Sequence, residues 1–308
     1  MRMASTSMFR RDSRTGPRCR GVLLVLGLVA GRLAVAAGPV TAQQGQDAPN
    51  PRRDSLRMAQ RLDAEGDHEQ ARAIFRALIE SAPDAAARAA ARRRLGMSHG
   101  YTADCAGIWE QHEQIIAYWR SRRAEDPQNA HYQEGEMANE AARVCLDAGD
   151  FDEAERLYRH GTELGYREPE PRTHPKSLWD FRLSHAMARI SARRGEPEEA
   201  QRWVAEARRA LDSDPEMAEG QERYFPYLVG YVALYTDDLE TAERELTKSV
   251  EGLRNDPFQV VLLGMTYEKV GRQGRATELY ERAYEMSAGS NPPNVYARRF
   301  TREKLGKH

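Results

Sequence analysis

Apolar positions along the chain recur at steps of three and four, the period of a helix with one buried stripe. Ala71, Ile74 and Phe75 follow this step, as do Ala154, Leu157 and Tyr158, and Ala276, Leu279 and Tyr280. No window alternates apolar and polar residues in the two-residue period of a strand, and β-branched runs are scarce. Each helical stripe is preceded by a turn signal. Gly66-Asp67, Gly149-Asp150, Gly195-Glu196 and Gly271-Arg272 each open a stretch in which an Ala is followed, one helical turn later, by a bulky side chain. Glycine at a helix end takes the left-handed conformation at low steric cost, so these phrases predict helical hairpins.

The hairpins recur with a period. Gly66 to Gly100 is 34 residues, Gly100 to Gly149 is 49, Gly149 to Gly195 is 46, Gly195 to Asp237 is 42 and Asp237 to Gly271 is again 34. A 34-residue helical period resembles the tetratricopeptide repeat family. The closest copy holds Leu263-Gly264, Tyr267, Gly271, Ala276, Tyr280 and Ala283. The first copy offers Ala59, Gly66, Ala71, Phe75 and Pro83, and the third Ala142, Gly149, Ala154, Tyr158 and Gly161. The resemblance implies an all-α, right-handed α-solenoid of about six hairpins over 52–291, with a capping helix and tail at 292–308. In the second copy the turn at Gly100 and the residues Leu95-Gly96 fit only with a shift of about three positions. The fifth copy has Asp237-Asp238 at its turn, with Leu239, Ala242 and Leu246 keeping the frame. Extra residues at 165–175 and 212–220 are expected to form extended loops between hairpins. Val295 to Leu305 is expected to be a last helix that ends at Gly306 and covers the open end of the array.

Charge and hydropathy change the picture at the N-terminus. Residues 1–42 run from an Arg-rich stretch through an apolar run at 21–30 to small residues ending at Ala42, the layout of an export signal cleaved after Ala42, with cleavage after Ala36 as the alternative. The apolar run is short for a bilayer span. The expected destination is periplasmic or extracellular, or membrane-anchored if the signal is retained. A polar linker follows at 43–51. The whole chain carries a net charge of −1; residues 1–42 hold seven Arg and one Asp, net +6, so the remainder is near −7. That balance argues against a nucleic-acid partner. Cys105 and Cys145 remain after the signal. In an oxidising compartment they are candidates for a disulfide, with two buried thiols as the alternative.

No zinc-binding His pair, phosphate loop, dinucleotide fingerprint or serine-hydrolase elbow occurs, so neither a catalytic residue, a metal site nor a cofactor is expected. In tetratricopeptide arrays the first helix of each hairpin lines a concave, partner-binding groove. Carried onto this chain, that implies Asn139 and Arg143 in the third hairpin, Arg182, His185 and Arg189 in the fourth, Tyr224, Tyr227 and Tyr231 in the fifth, and Phe258 and Met265 in the sixth. The groove is then basic in the middle and aromatic toward the C-terminus. It suits a protein or peptide partner that offers an acidic group beside an apolar anchor. The alternative for the tyrosine stripe is burial by the terminal helix or a neighbouring hairpin. Leu56 and Gln60 stand where the chaperone-type carboxylate clamp of the family has Lys and Asn. The implied function is a non-catalytic scaffold in the cell envelope. Alternatives are a structural subunit of a larger envelope complex, or an accessory module of a periplasmic enzyme that processes glycans or peptides.

Overall fold

A computed structural model describes residues 50–307. The export signal read at 1–42 and nearly all of the linker at 43–51 lie outside the described residues. Pro51, the last linker position, is the first residue of a helix capped by the Asn50 side chain.

Among the described residues there are fourteen α-helices, one short 3-10 turn and no strand. The helices pair in chain order: α1 (Pro51–Glu65) with α2 (His68–Glu80), α3 (Ala85–Tyr101) with α4 (Cys105–Ser121), α5 (Pro127–Ala148) with α6 (Phe151–Tyr166), and α7 (Lys176–Arg194) with α8 (Pro197–Ser213). A short α9 (Pro215–Gln221) and the 3-10 turn Glu222–Tyr224 lead into α10 (Phe225–Tyr235), which pairs with α11 (Leu239–Gly252). The pair α12 (Pro257–Lys269) and α13 (Gln273–Met286) and the final α14 (Pro292–Leu305) complete the chain. This is an α-solenoid of six hairpins and a terminal helix.

Local chemistry sets the ends of these helices. Asp84, Asp104, Asp126, Asp150, Asp238 and Asn291 each accept a backbone N–H of the first helical turn, which satisfies donors that have no partner within the helix. Gly66, Gly149, Gly195 and Gly271 take φ of 96°, 91°, 78° and 77°, as the turn signals require, and Asp237 takes 61° in the fifth hairpin. The second hairpin differs from the expected register. Its turn lies at Ala103, φ 55°, and Gly100 is buried inside α3. The stretch 212–220 is also not an extended loop, since it holds the end of α8 and most of α9. The segment after α6 is irregular, and Arg172 there donates to the carbonyls of Gly165, Tyr166 and Glu168, closing the end of α6.

Small residues let the paired helices approach closely. A Cβ added at Gly230 would lie 2.7 Å from the Leu246 side chain, and one at Gly264 would lie 2.6 Å from the Tyr280 ring. Cys105 and Cys145 are joined by a disulfide that pins the start of α4 to the end of α5, with a Cα–Cα distance of 4.7 Å.

The terminal helix does more than cover the last hairpin. It packs against α12 and α13 as expected, and also against α3 and α5. Val295 is buried against Gly100, where an added Cβ would come within 2.9 Å of it, and against the Val144 cluster of α5. Tyr296 lies 4.8 Å, ring to ring, from Phe258. Arg299 donates to the Asp147 carbonyl, and the Arg302 guanidinium lies over Gly66 at the first hairpin's turn. Arg298 donates to the Tyr284 carbonyl with its guanidinium over that ring, and Lys304 pairs with Glu268 at 2.8 Å. The basic residues Arg298, Arg299, Arg302 and Lys304 of α14 are therefore largely engaged with the array.

Candidate functional site

Glu136, Asn139, Glu140, Arg143 and Asp147 recur at steps of three and four along α5, so they share one face. The flank of α5 beside Asn139 is spent on close packing: a Cβ at Gly135 would lie 2.5 Å from the Trp179 indole and 2.7 Å from the Gly161 carbonyl. On α7, Arg182, His185 and Arg189 fall at i, i+3 and i+7 and meet the α5 face. Tyr224 and Tyr227 arrive from the start of α10, and Asn291, Pro292 and Pro293 from the start of α14. Together these segments enclose an open cavity of about 530 Å³.

Its charges are arranged unequally. Arg93 of α3 is bound to Glu140 through Nε at 2.9 Å, and His112 also reaches Glu140 at 3.2 Å. Burial works against the Glu140 carboxylate, but the hydrogen bonds from His112 and Arg93 outweigh it and hold its pKa below the usual range. Arg182 donates to Glu136 at 2.7 Å and to the Tyr132 hydroxyl at 3.1 Å. Arg143 donates from Nε to Asp147 at 3.2 Å and lies 4.1 Å from the Phe258 ring centre, but its buried Nη2 has no partner.

Arg189 differs from these. It is 4% exposed, and its guanidinium donates to the Tyr227 hydroxyl at 3.2 Å, the Tyr158 hydroxyl at 3.1 Å and the His185 carbonyl at 3.2 Å, all neutral acceptors. His185, 8% exposed, has a buried Nε2 without a partner. Burial, then the neighbouring Arg189 and Arg143, push the His185 pKa well below its ordinary value, so the ring is neutral at pH 7. Asn139 has a buried Oδ1 with no donor. The buried unpartnered atoms here are thus of both kinds, the Arg143 Nη2 donor and the Asn139 and Asp147 oxygen acceptors, while the Arg189 guanidinium has only neutral acceptors.

Seven of the ten residues expected from the sequence therefore line one cavity: Asn139, Arg143, Arg182, His185, Arg189, Tyr224 and Tyr227. The other three do not. Tyr231 and Phe258 are 1% and 2% exposed and belong, with the half-buried Met265, to the packed core of the last two hairpins. Tyr296 and Phe300 of α14 complete that core, so the aromatic end of the groove is filled by the chain itself. Sequence reasoning missed Glu136 and Glu140, although both share the helix face of Asn139 and Arg143. It also missed Arg93 and the 291–293 strap, which reach the cavity only through tertiary packing.

A tetratricopeptide repeat family model matches residues 260–289, which span most of α12, all of α13 and the turn beyond. Residues 260–289 are a tetratricopeptide repeat. No curated protein matches the chain. Repeats of this kind generally mediate contacts between proteins, which supports a binding scaffold. Outside the matched stretch, the first, third, fourth and fifth hairpins follow the same chemistry of left-handed turn, small residue and bulky residue. Among the described residues no helix is long and apolar enough to cross a membrane.

Proposed function

We propose that this tetratricopeptide repeat protein is an exported, non-catalytic scaffold that holds a partner protein on its concave wall, at the mouth of the α5–α7–α10 cavity. The observation that supports this most is the convergence of Arg182, Arg189, Arg143 and Tyr224 around an open cavity. A partner segment with an acidic group beside an apolar anchor complements that wall, since Arg and Tyr dominate binding hot spots. Only Met58, Tyr166 and Val270 are exposed large apolar side chains among the described residues, so the reading as a permanently buried subunit has less support.

The test is partner capture from cell-envelope extract with the full chain and with an Arg182→Ala/Tyr224→Ala variant. Both positions sit at the cavity mouth, outside the tightly packed core. A partner retained by the wild type and lost by the folded variant supports the reading. Retention by both moves the interface elsewhere. The N-terminal sequence of the protein recovered from the envelope fraction tests export: a start at Gln43 is expected, and an intact Met1 in the cytosolic fraction would overturn that part.

A further inference from the structure

The floor of the cavity has a charge balance that nothing among the described residues completes. Glu140 is matched by Arg93, Glu136 by Arg182 and Asp147 by Arg143. That leaves Arg189, whose guanidinium stays ionised in any protein setting and whose hydrogen-bond partners are two phenols and a carbonyl. Removing a charge from water without an opposite charge beside it is costly, more so for a residue 4% exposed. Beside it stands the unpartnered Nη2 of Arg143, a buried donor lining the same space.

The excess is one positive charge, which calls for a monoanion. The surrounding walls are ring faces. Phe181 and Tyr227 lie 5.7 Å and 5.0 Å from the His185 ring, and Tyr224 closes the side. A volume of about 530 Å³ suits a small molecule. Because α14 already fills the neighbouring aromatic stretch of the groove, a long partner helix finds no continuous bed there.

We propose that this cavity floor binds a small organic acid, a flat apolar body bearing one carboxylate, with the carboxylate between Arg189 and Arg143 and the body against Phe181, His185 and Tyr227. The 291–293 strap borders the occupied space, so ligand and docked α14 stabilise one another. This goes beyond partner binding at the cavity mouth and does not depend on it.

Benzoate is the probe, applied to the full chain at pH 7 and constant ionic strength. Saturation-transfer NMR on the wild type should show benzoate ring contact. The thermal midpoint should rise by about 4 °C when benzoate reaches roughly ten times its dissociation constant. Arg189→Gln keeps hydrogen-bonding capacity toward the tyrosines but removes the charge, and it should abolish both responses. Arg202→Gln, on the exposed face of α8, should leave them intact. If Arg189→Gln does not fold, the wild-type NMR signal and its displacement by excess phenylacetate decide alone. No saturation transfer, or a midpoint rise matched by equimolar chloride or inorganic phosphate, overturns the proposal. A short glutamate peptide that raises the midpoint where benzoate does not would also overturn it, in favour of a partner's chain occupying the floor. Loss of benzoate binding with partner capture intact would leave the scaffold reading standing.

Discussion

His185 shows how much one side chain can couple this fold to pH. Its ring is packed among Arg189, Arg143, Tyr227 and Phe181, and its pKa is held well below 6.5 by burial first and by the two guanidinium groups next. In the unfolded chain the same ring takes a proton near pH 6.5. The unfolded state therefore binds more protons below that pH, and stability falls as pH drops from about 6.5 toward the folded-state pKa. Glu140 adds to the loss at lower pH. Its carboxylate is opposed by burial but favoured more strongly by His112 and Arg93, so its stabilisation is present above the unfolded pKa and lost as pH falls through the folded one. Urea unfolding at pH 7, 6 and 5 should show a declining free energy. His185→Gln should flatten the decline between pH 6 and 5 by up to about 1.4 kcal/mol per pH unit; an unchanged slope would show that the ring is not buried neutral.

At the scale of elements, each hairpin is held by a small residue facing a large one, and the second and third hairpins are also joined covalently. The Cys105–Cys145 disulfide closes a loop of 40 residues between α4 and α5. By restricting the unfolded chain, a bridge of this span contributes about 2–4 kcal/mol. A Cys105→Ala/Cys145→Ala variant should lose about that much in urea unfolding, whereas alkylation of the untreated wild type should leave both cysteines unlabelled. Labelling of either without reductant would remove the bridge from the account. The element pattern was largely legible beforehand. Gly66, Gly149, Gly195 and Gly271 mark real turns because a left-handed helix end is a local requirement that a glycine announces. Gly100 misled because a glycine can also serve a packing contact. It lies in the last turn of α3 and admits Val295 from nearly two hundred residues away, and no local signal reports that. The helical α9 was hidden for a related reason, since Pro215 reads as a loop breaker yet is favourable in the first helical turn.

The whole molecule is shaped by α14, which reaches from the last hairpin to α3, α5 and the Gly66 turn. Val295 and Tyr296 are buried by this docking. At roughly 1.5–3 kcal/mol for each large apolar side chain removed from water, the contact contributes about 3–6 kcal/mol. Truncation before Ser290 should lower the unfolding free energy by that order and uncover Phe258 and Val144, raising binding of a hydrophobic dye. A truncated chain as stable as the full one would show that the helix is only loosely attached.

The candidate site divides along the same line. The basic and amide residues of α5 and α7 were readable because a helix face is set by spacing alone: Asn139 with Arg143, and Arg182 with His185 and Arg189, must share a side once each helix exists. The sequence by itself therefore determined the hairpins, every turn but that of the second, and the composition of the middle of the groove. Whether a face stays open is a different matter, because it depends on what else competes for it. Tyr224 and Tyr227 remained at the cavity, whereas Tyr231 and Phe258 were taken into the core by Tyr296 and Phe300. Only the tertiary structure decided this, since the burial of an apolar stripe depends on a segment far along the chain. The same holds for Arg189: its type and place on α7 were visible, but the absence of an anionic partner among its bonded neighbours appears only when α5, α7, α10 and α14 are brought together.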